Sequence, residues 1–210
     1  MSYRAVIFDL GGVILGSPLH AIAAYESDHG IETGTINRVV VATGPSGAWS
    51  RLERGELALE GFYRAFESDC RAAGAEISGR ELMQRIGEIS KPRPEMLTAV
   101  DRIRELGLKA AALTNNWVAE GEADSSALLA ARFDVFVESS VVQLRKPDPR
   151  IYQHTCEQLA ESPEVAIFLD DIGRNLKTAR ELGMATIKFD HPDQALGELE
   201  ELLGFCLRNA

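Results

Sequence analysis

Residues Val6–Gly12 read Val-Ile-Phe-Asp-Leu-Gly-Gly, an apolar run that stops at an aspartate and turns on two glycines. A short, continuously apolar run bounded by a turn is the pattern of a strand buried on both faces, as in a parallel sheet. Three further stretches belong with it. Ala111–Asn116 (AALTNN) is apolar and ends in a hydroxyl, Arg145–Pro149 (RKPDP) supplies a lysine beside two prolines, and Ala166–Asp171 (AIFLDD) is apolar and ends in two acids. Open α/β sheets bind ligands just beyond the carboxyl ends of their strands. The pattern therefore brings Asp9, Thr114 and the pair Asp170–Asp171 to one edge, where Lys146 can join them from a loop. A carboxylate nucleophile, a hydroxyl, an ammonium and an acidic pair suit metal-assisted phosphoryl transfer.

Working outward, five short apolar segments are expected as strands: Arg4–Phe8, Lys109–Leu113, Val135–Glu138, Ala166–Leu169 and Thr186–Phe189. The last four alternate with helical patterns, which is the mark of βαβ units. In Pro94–Leu106, Leu97, Val100, Ile103 and Leu106 share one face and Gly107 is a stop signal. Helices are also expected at Ala123–Ala131, Pro149–Leu159, Asn175–Leu182 and Asp193–Leu203. About a hundred residues separate the first two strands, far more than one crossover needs. Within them Ser17–Lys91 reads as helical: Phe62, Phe66 and Cys70 recur at helical spacing, and Ser78–Glu81 forms a capping box. This is the pattern of a helical subdomain spliced into an α/β core, with Lys91–Pro94 (KPRP) as the return hinge.

The 210 residues suffice for a sizeable core and one insertion. A charged fraction of 26% and an apolar fraction of 45% are ordinary for a globular protein. A net charge of −10 argues against a nucleic-acid or anionic-membrane surface, so a phosphate substrate must be drawn in locally. No apolar stretch approaches the roughly 18 residues of a membrane span. The chain enters a strand almost at once, with no signal-peptide pattern, so a cytoplasmic location is expected. Cys70, Cys156 and Cys206 are scattered and read as reduced thiols. Neither cysteines nor histidines cluster, which disfavours zinc.

With these four motifs in this order, the sequence resembles the haloacid dehalogenase superfamily. The resemblance covers nearly the whole chain. It is closer to the phosphatase-like N-terminal domain of soluble epoxide hydrolase, and to the similar domain fused to acyl-CoA-dehydrogenase-like proteins, through FDVFVESS, RKPDPRIY, IFLDD and LEELLGFCLR. It implies a three-layer Rossmann-like core with a five-stranded parallel sheet (residues 1–16 and 91–210) and a helical cap (residues 17–90) closing over the site. It also implies that Asp9 attacks phosphorus and that Lys146 neutralises Asp9 and the phosphoryl group. Leu10, Gly11, Thr114 and Asn115 would bind phosphoryl oxygens. Mg²⁺ would sit on Asp9, the Gly11 carbonyl and Asp171, with Asp170 acting through water and Asn175 orienting the loop.

Gly11 departs from the family pattern, which has a second aspartate there as general acid. Such a group contributes roughly 10²–10⁴-fold. Three functions stay open: a Mg²⁺-dependent phosphatase of a small phosphorylated metabolite, a phosphate- and Mg²⁺-binding module with poor turnover, and a 2-haloacid dehalogenase. Within the insertion, Trp49, Arg51 and Arg54 are the candidates to reach the site and set specificity, with cap–core packing and surface charge as the alternative. His20 is a candidate substitute acid, though a lone histidine is more often structural or solvated. Arg145 reads as a solvated neighbour of Lys146.

Overall fold

The computed structural model describes residues 2–117 and 123–208. Its strands are β1 (Ala5–Phe8), β2 (Lys109–Thr114), β3 (Val135–Glu138), β4 (Ala166–Asp170) and β5 (Ala185–Lys188), each within one residue of expectation. They form one parallel sheet in the order β3-β2-β1-β4-β5, with β1 central. Alternate residues of a strand face opposite sides, and the two sides are filled by different helices. Val6 and Phe8 of β1 pack with Val100 and Ile103 of α6 (Pro94–Glu105) and Leu196 and Leu199 of α11 (Pro192–Leu203). Ala5 and Ile7 pack with Ile151 and Tyr152 of α9 (Pro149–Leu159) and Leu176 of α10 (Gly173–Glu181).

Between β1 and α6 the chain makes α1 (Pro18–Asp28), α2 (Thr35–Thr43), α3 (Ala48–Glu53), α4 (Leu59–Ala72) and α5 (Gly79–Ile89). These helices enclose a hydrophobic cluster of their own, with Tyr25, Ile36, Leu52, Phe62, Phe66, Leu82 and Ile86 at its centre. Buried Glu26 accepts hydrogen bonds from Gly34 N (2.6 Å) and Ile36 N (2.7 Å), supplying the start of α2 with the acceptor its own sequence lacks. The expected capping box at Ser78 is half made. Ser78 Oγ accepts from Glu81 N, whereas Ser78 N donates to Tyr25 Oη and Glu81 turns to Arg85.

The two connectors to the core run side by side. Gly16 N donates to Lys91 O, Arg93 N donates to Ile14 O, and Leu15 bridges Pro92, so the expected return hinge is paired with the outgoing strand of chain. A Cβ on Gly16 would lie 2.0 Å from the Ile89 carbonyl oxygen, so only glycine allows that approach. After β2 come α7 (Ala123–Ala130) and, following β3, a single turn of helix absent from the sequence reading, α8 (Ser139–Val142). No helix among the described residues is long and apolar enough to cross a membrane.

Candidate active site at the carboxyl edge of the sheet

β1 and β4 run with Phe8 opposite Leu169, which sets Asp9 and Asp170 side by side at the strand ends. Between them stands the Lys146 ammonium, 2.8 Å from Asp9 Oδ1 and 2.8 Å from Asp170 Oδ2. All three are buried: Lys146 is 1% exposed, Asp170 0% and Asp9 6%. Leu10 N donates to Asp9 Oδ1 at 2.7 Å, fixing the carboxylate on the turn that begins at Leu10. Asp170 is held by Ile172 N (2.7 Å) and by Asn175 Nδ2, which reaches both its oxygens (3.1 and 3.0 Å); Tyr152 Oη in turn donates to the Asn175 carbonyl.

Asp171 completes the group. Oxygens of Asp9, Asp170 and Asp171 lie within 4.8 Å of one another. Gly12 makes that approach possible: at φ +92° it occupies the left-handed region, and a Cβ there would be 2.2 Å from Asp171 Oδ2. Ser17 Oγ donates to Asp171 Oδ2 at 3.2 Å, while Asp171 Oδ1 is buried with no hydrogen-bond partner in the structure. Buried polar atoms are normally paired.

Burial pushes the Asp9 carboxyl well above the usual carboxylate range; Lys146 opposes this, and Asp170 and Asp171 add to it. Burial, and then the Asp170 charge, also raise Asp171. Burial works against the Lys146 ammonium, but the Asp170 and Asp9 carboxylates outweigh it and lift its pKa above the ordinary lysine value. Three carboxylates thus face one ammonium. The donor set is all oxygen, and one buried oxygen lacks a partner. These residues fit a hard divalent cation that accepts carboxylates and carbonyls.

Thr114 is buried at the end of β2, and Asn115 clamps the lysine loop: its Nδ2 donates to Lys146 O (3.0 Å) and its Oδ1 accepts from Lys146 N (2.8 Å). The carboxyl edge therefore gathers Asp9, Leu10, Gly11, Thr114, Asn115, Lys146, Asp170, Asp171 and Asn175.

The other candidates make the following contacts. Trp49 is buried against Phe62, Phe66 and Trp117, and its Nε1 donates to Glu53 Oε1. Arg51 and Arg54 both pair with Glu56, and Arg54 also reaches the Pro45 carbonyl. These contacts are packing within the helical insertion and pairing near its surface. His20 is exposed on α1, with no hydrogen bond tying it to the carboxylates. Arg145 is not solvated: its side chain is 15% exposed and its Nε lies 2.5 Å from Glu53 Oε2. Composition cannot show this, since the partner is 92 residues away. Ser17 was also missed. It stands at the N-cap position of α1, yet its hydroxyl makes no cap bond and goes to Asp171. Cys70 and Cys156 are buried and Cys206 exposed, all free, with burial pushing Cys70 up to about 12.

A family model described as haloacid dehalogenase-like hydrolase matches residues 3–183. Mouse acyl-CoA dehydrogenase family member 10 is 41% identical over 98% of this chain and 20% of its own length. Pig bifunctional epoxide hydrolase 2 is 34% identical over 99% of this chain and 40% of its own. The chain thus spans well under half of either relative. Sesquiterpene phosphatase astK of Aspergillus oryzae is 25% identical over 97% of this chain and 98% of its own length. Among solved structures, a family enzyme from Bacteroides thetaiotaomicron in complex with magnesium and inorganic phosphate aligns with a TM-score of 0.61, covering 89% of this chain and 94% of that one. At 18% identity that likeness speaks to the fold alone.

Proposed function

The chain belongs to the haloacid dehalogenase-like hydrolases, and on that premise we propose that it is a Mg²⁺-dependent phosphatase of a small organic phosphate, acting through an aspartyl phosphate on Asp9. The observation that carries this reading is the Lys146 ammonium shared at 2.8 Å between Asp9 and Asp170, with Asp171 close by. A phosphatase relative that matches end to end, and a structural neighbour holding magnesium and inorganic phosphate, support it.

Asp9, the Gly11 carbonyl and Asp171 would hold Mg²⁺, with Asp170 in support, and the ion supplies positive charge to the phosphoryl oxygens. Asp9 Oδ1 is engaged by Leu10 N and Lys146, which leaves Oδ2 free of protein donors among the described residues. An Asp9 oxygen attacks phosphorus, the P–O bond to the leaving group breaks, and water then cleaves the acyl phosphate to return the carboxylate and release phosphate. Lys146 opposes the burial that disfavours the ionised Asp9 carboxylate and offsets charge on the transferring group. The Thr114 hydroxyl and backbone N–H groups at the strand ends serve as phosphoryl donors. Asn175 holds Asp170 so that Lys146 stays in place.

Gly11 favours a second reading, a module that keeps phosphate and Mg²⁺ but turns over poorly. The Pro18 ring lies 3.3 Å from where a Gly11 Cβ would be, so that wall of the site is apolar. A 2-haloacid dehalogenase needs no divalent ion, and the crowded acidic triad weighs against it. Release of phosphate from a phosphoester panel with and without Mg²⁺, alongside halide release from 2-chloropropionate, separates the three. Phosphatase action predicts Mg²⁺-dependent phosphate release that Asp9→Asn abolishes in a folded protein. Near-wild-type turnover by Asp9→Asn would sink the aspartyl-phosphate route.

A further inference from the structure

One residue of the helical insertion, Glu53, is bonded to both loops that carry the site. Its carboxylate is fully engaged, with Oε1 accepting from Trp49 Nε1 (2.9 Å) and Oε2 from Arg145 Nε (2.5 Å). Its backbone carbonyl accepts from Ser139 Oγ (2.5 Å), and the same hydroxyl accepts from Asn116 N (2.9 Å). Arg145 immediately precedes Lys146 and also reaches Ser50 Oγ (3.2 Å); Asn116 directly follows the pair Thr114–Asn115. The pair is enclosed, with side-chain exposures of 9% for Glu53 and 15% for Arg145. Next to it Gly55, at φ +69°, lets α3 lie directly on α8, where a Cβ would stand 2.5 Å from the Ser140 carbonyl oxygen. Trp117, just beyond Asn116, packs edge-on against Trp49.

From this convergence we infer that Glu53 is a positioning residue: seated through Arg145 and Ser139, it fixes Lys146 and the Thr114–Asn116 turn in their working geometry only while α3 rests on the core. Asp9 is 6% exposed, and a seam that parts and reforms would admit substrate to it. When it parts, Glu53 and Arg145 each lose their ionic partner, and the lysine loop keeps the Asn115 clamp and the Lys146 ion pairs but not its tie to α3. When it reforms, the enclosed pair admits a single arrangement, because an uncompensated charge left in that seam is strongly disfavoured. The insertion thereby reports its own seating to the catalytic lysine. The kinetic consequence rests on the phosphatase reading; the coupling itself does not.

Glu53→Gln is the sharpest test, since it keeps shape and the backbone carbonyl. A glutamine amide cannot accept from both Trp49 and Arg145, because one of its two heads is a donor. The full-length protein is compared as wild type, Glu53→Gln, Arg145→Gln and the double variant, at temperatures where each is folded. We expect amide exchange over residues 139–148 to quicken about tenfold or more in either single variant, with no further gain in the double. The Lys146 ammonium is 1% exposed, and its signal in a ¹H–¹⁵N spectrum should shift or broaden in both. With p-nitrophenyl phosphate and Mg²⁺, kcat should fall about tenfold or more with KM nearly unchanged. A purely structural pair would lower the unfolding temperature and leave the lysine signal and kcat alone, and that result overturns the inference. So does wild-type exchange over residues 139–148. If Glu53→Gln does not fold, Arg145→Gln, which leaves the Trp49 bond intact, decides the same comparison. If the wild type hydrolyses no phosphoester, exchange and the lysine signal still decide the coupling, and the fault lies with the phosphatase reading.

Discussion

Gly11 and Gly12 are adjacent glycines under very different constraints. Gly12 is needed by geometry, being at φ +92° with Asp171 where a side chain would go. Gly12→Ala should cost about 1–3 kcal/mol in backbone strain, displace Asp171, and weaken Mg²⁺ binding in a calorimetric titration. Unchanged affinity would show that Asp171 is not a ligand. Gly11 is under no such constraint: its φ lies outside the left-handed region, and a Cβ would meet only the Pro18 ring at 3.3 Å. Without an acid there, the leaving group departs as an anion or takes its proton from water. Hydrolysis should therefore fall steeply as leaving-group pKa rises, with aryl and acyl phosphates far ahead of alkyl ones. Gly11→Asp should flatten that slope by less than the roughly 10²–10⁴-fold of a well-placed acid, because Pro18 must yield. Equal wild-type rate constants for aryl and alkyl esters, with chemistry limiting, would mean another group supplies the proton. At this scale the site was legible where each residue ends an apolar strand, as with Asp9, Thr114 and Asp170, or sits in a stiff proline context, as with Lys146. Ser17 and Arg145 were not legible. Their roles depend on partners 154 and 92 residues away in sequence, and nothing local distinguishes them from a cap and a surface cation.

Elements were readable in proportion to how much periodicity they carry. β1 to β5 and the long helices emerged within one or two residues, because sheet burial and amphipathic faces leave a regular imprint. α8 has four residues and therefore no period to detect; it turns the chain so that Ser139 meets Glu53. The capping box at Ser78 was correct in type and half wrong in partners, because Tyr25 competes for the backbone N–H. The end of α11 offers a test of element-level electrostatics. Glu200 accepts from Leu207 N (2.7 Å) and Arg208 N (3.2 Å) and pairs with the Arg208 guanidinium, folding the tail back on the helix. That pairing holds the Glu200 carboxyl down at about 2. A depressed folded-state pKa contributes stability above the unfolded value, and the contribution is lost as pH falls toward the folded one. Glu200→Gln should thus melt earlier than wild type at pH 7, and the gap should narrow as pH drops from 5 to 3. A gap that stays constant with pH would assign the difference to packing.

For the whole molecule, a net charge of −10 surrounds the site that we propose takes a phosphate ester. On that reading, the net charge disfavours the long-range approach of a dianionic phosphoester. Salt screens exposed charges over about 10 Å at 0.1 M. Raising ionic strength with chloride at fixed Mg²⁺ should accordingly lower KM for a dianionic substrate and leave a monoanionic one less affected. A rise in KM with salt would reveal a local positive path to the site. The architecture was legible at this scale because a hundred residues cannot be a crossover; how the helical layer is fastened was not. Its two connectors pair at Gly16–Lys91 and Ile14–Arg93, so its ends are held together. To the sheet, the excursion is a tied-off loop. With the layer already folded, joining β1 to β2 closes roughly 25 residues in place of roughly 100, which saves about 1 kcal/mol of chain entropy. During synthesis, the helical layer can be finished before either neighbour of β1 has left the ribosome, so the central strand of the sheet is the first made, waits for β2, and is flanked on both sides only once β4 appears.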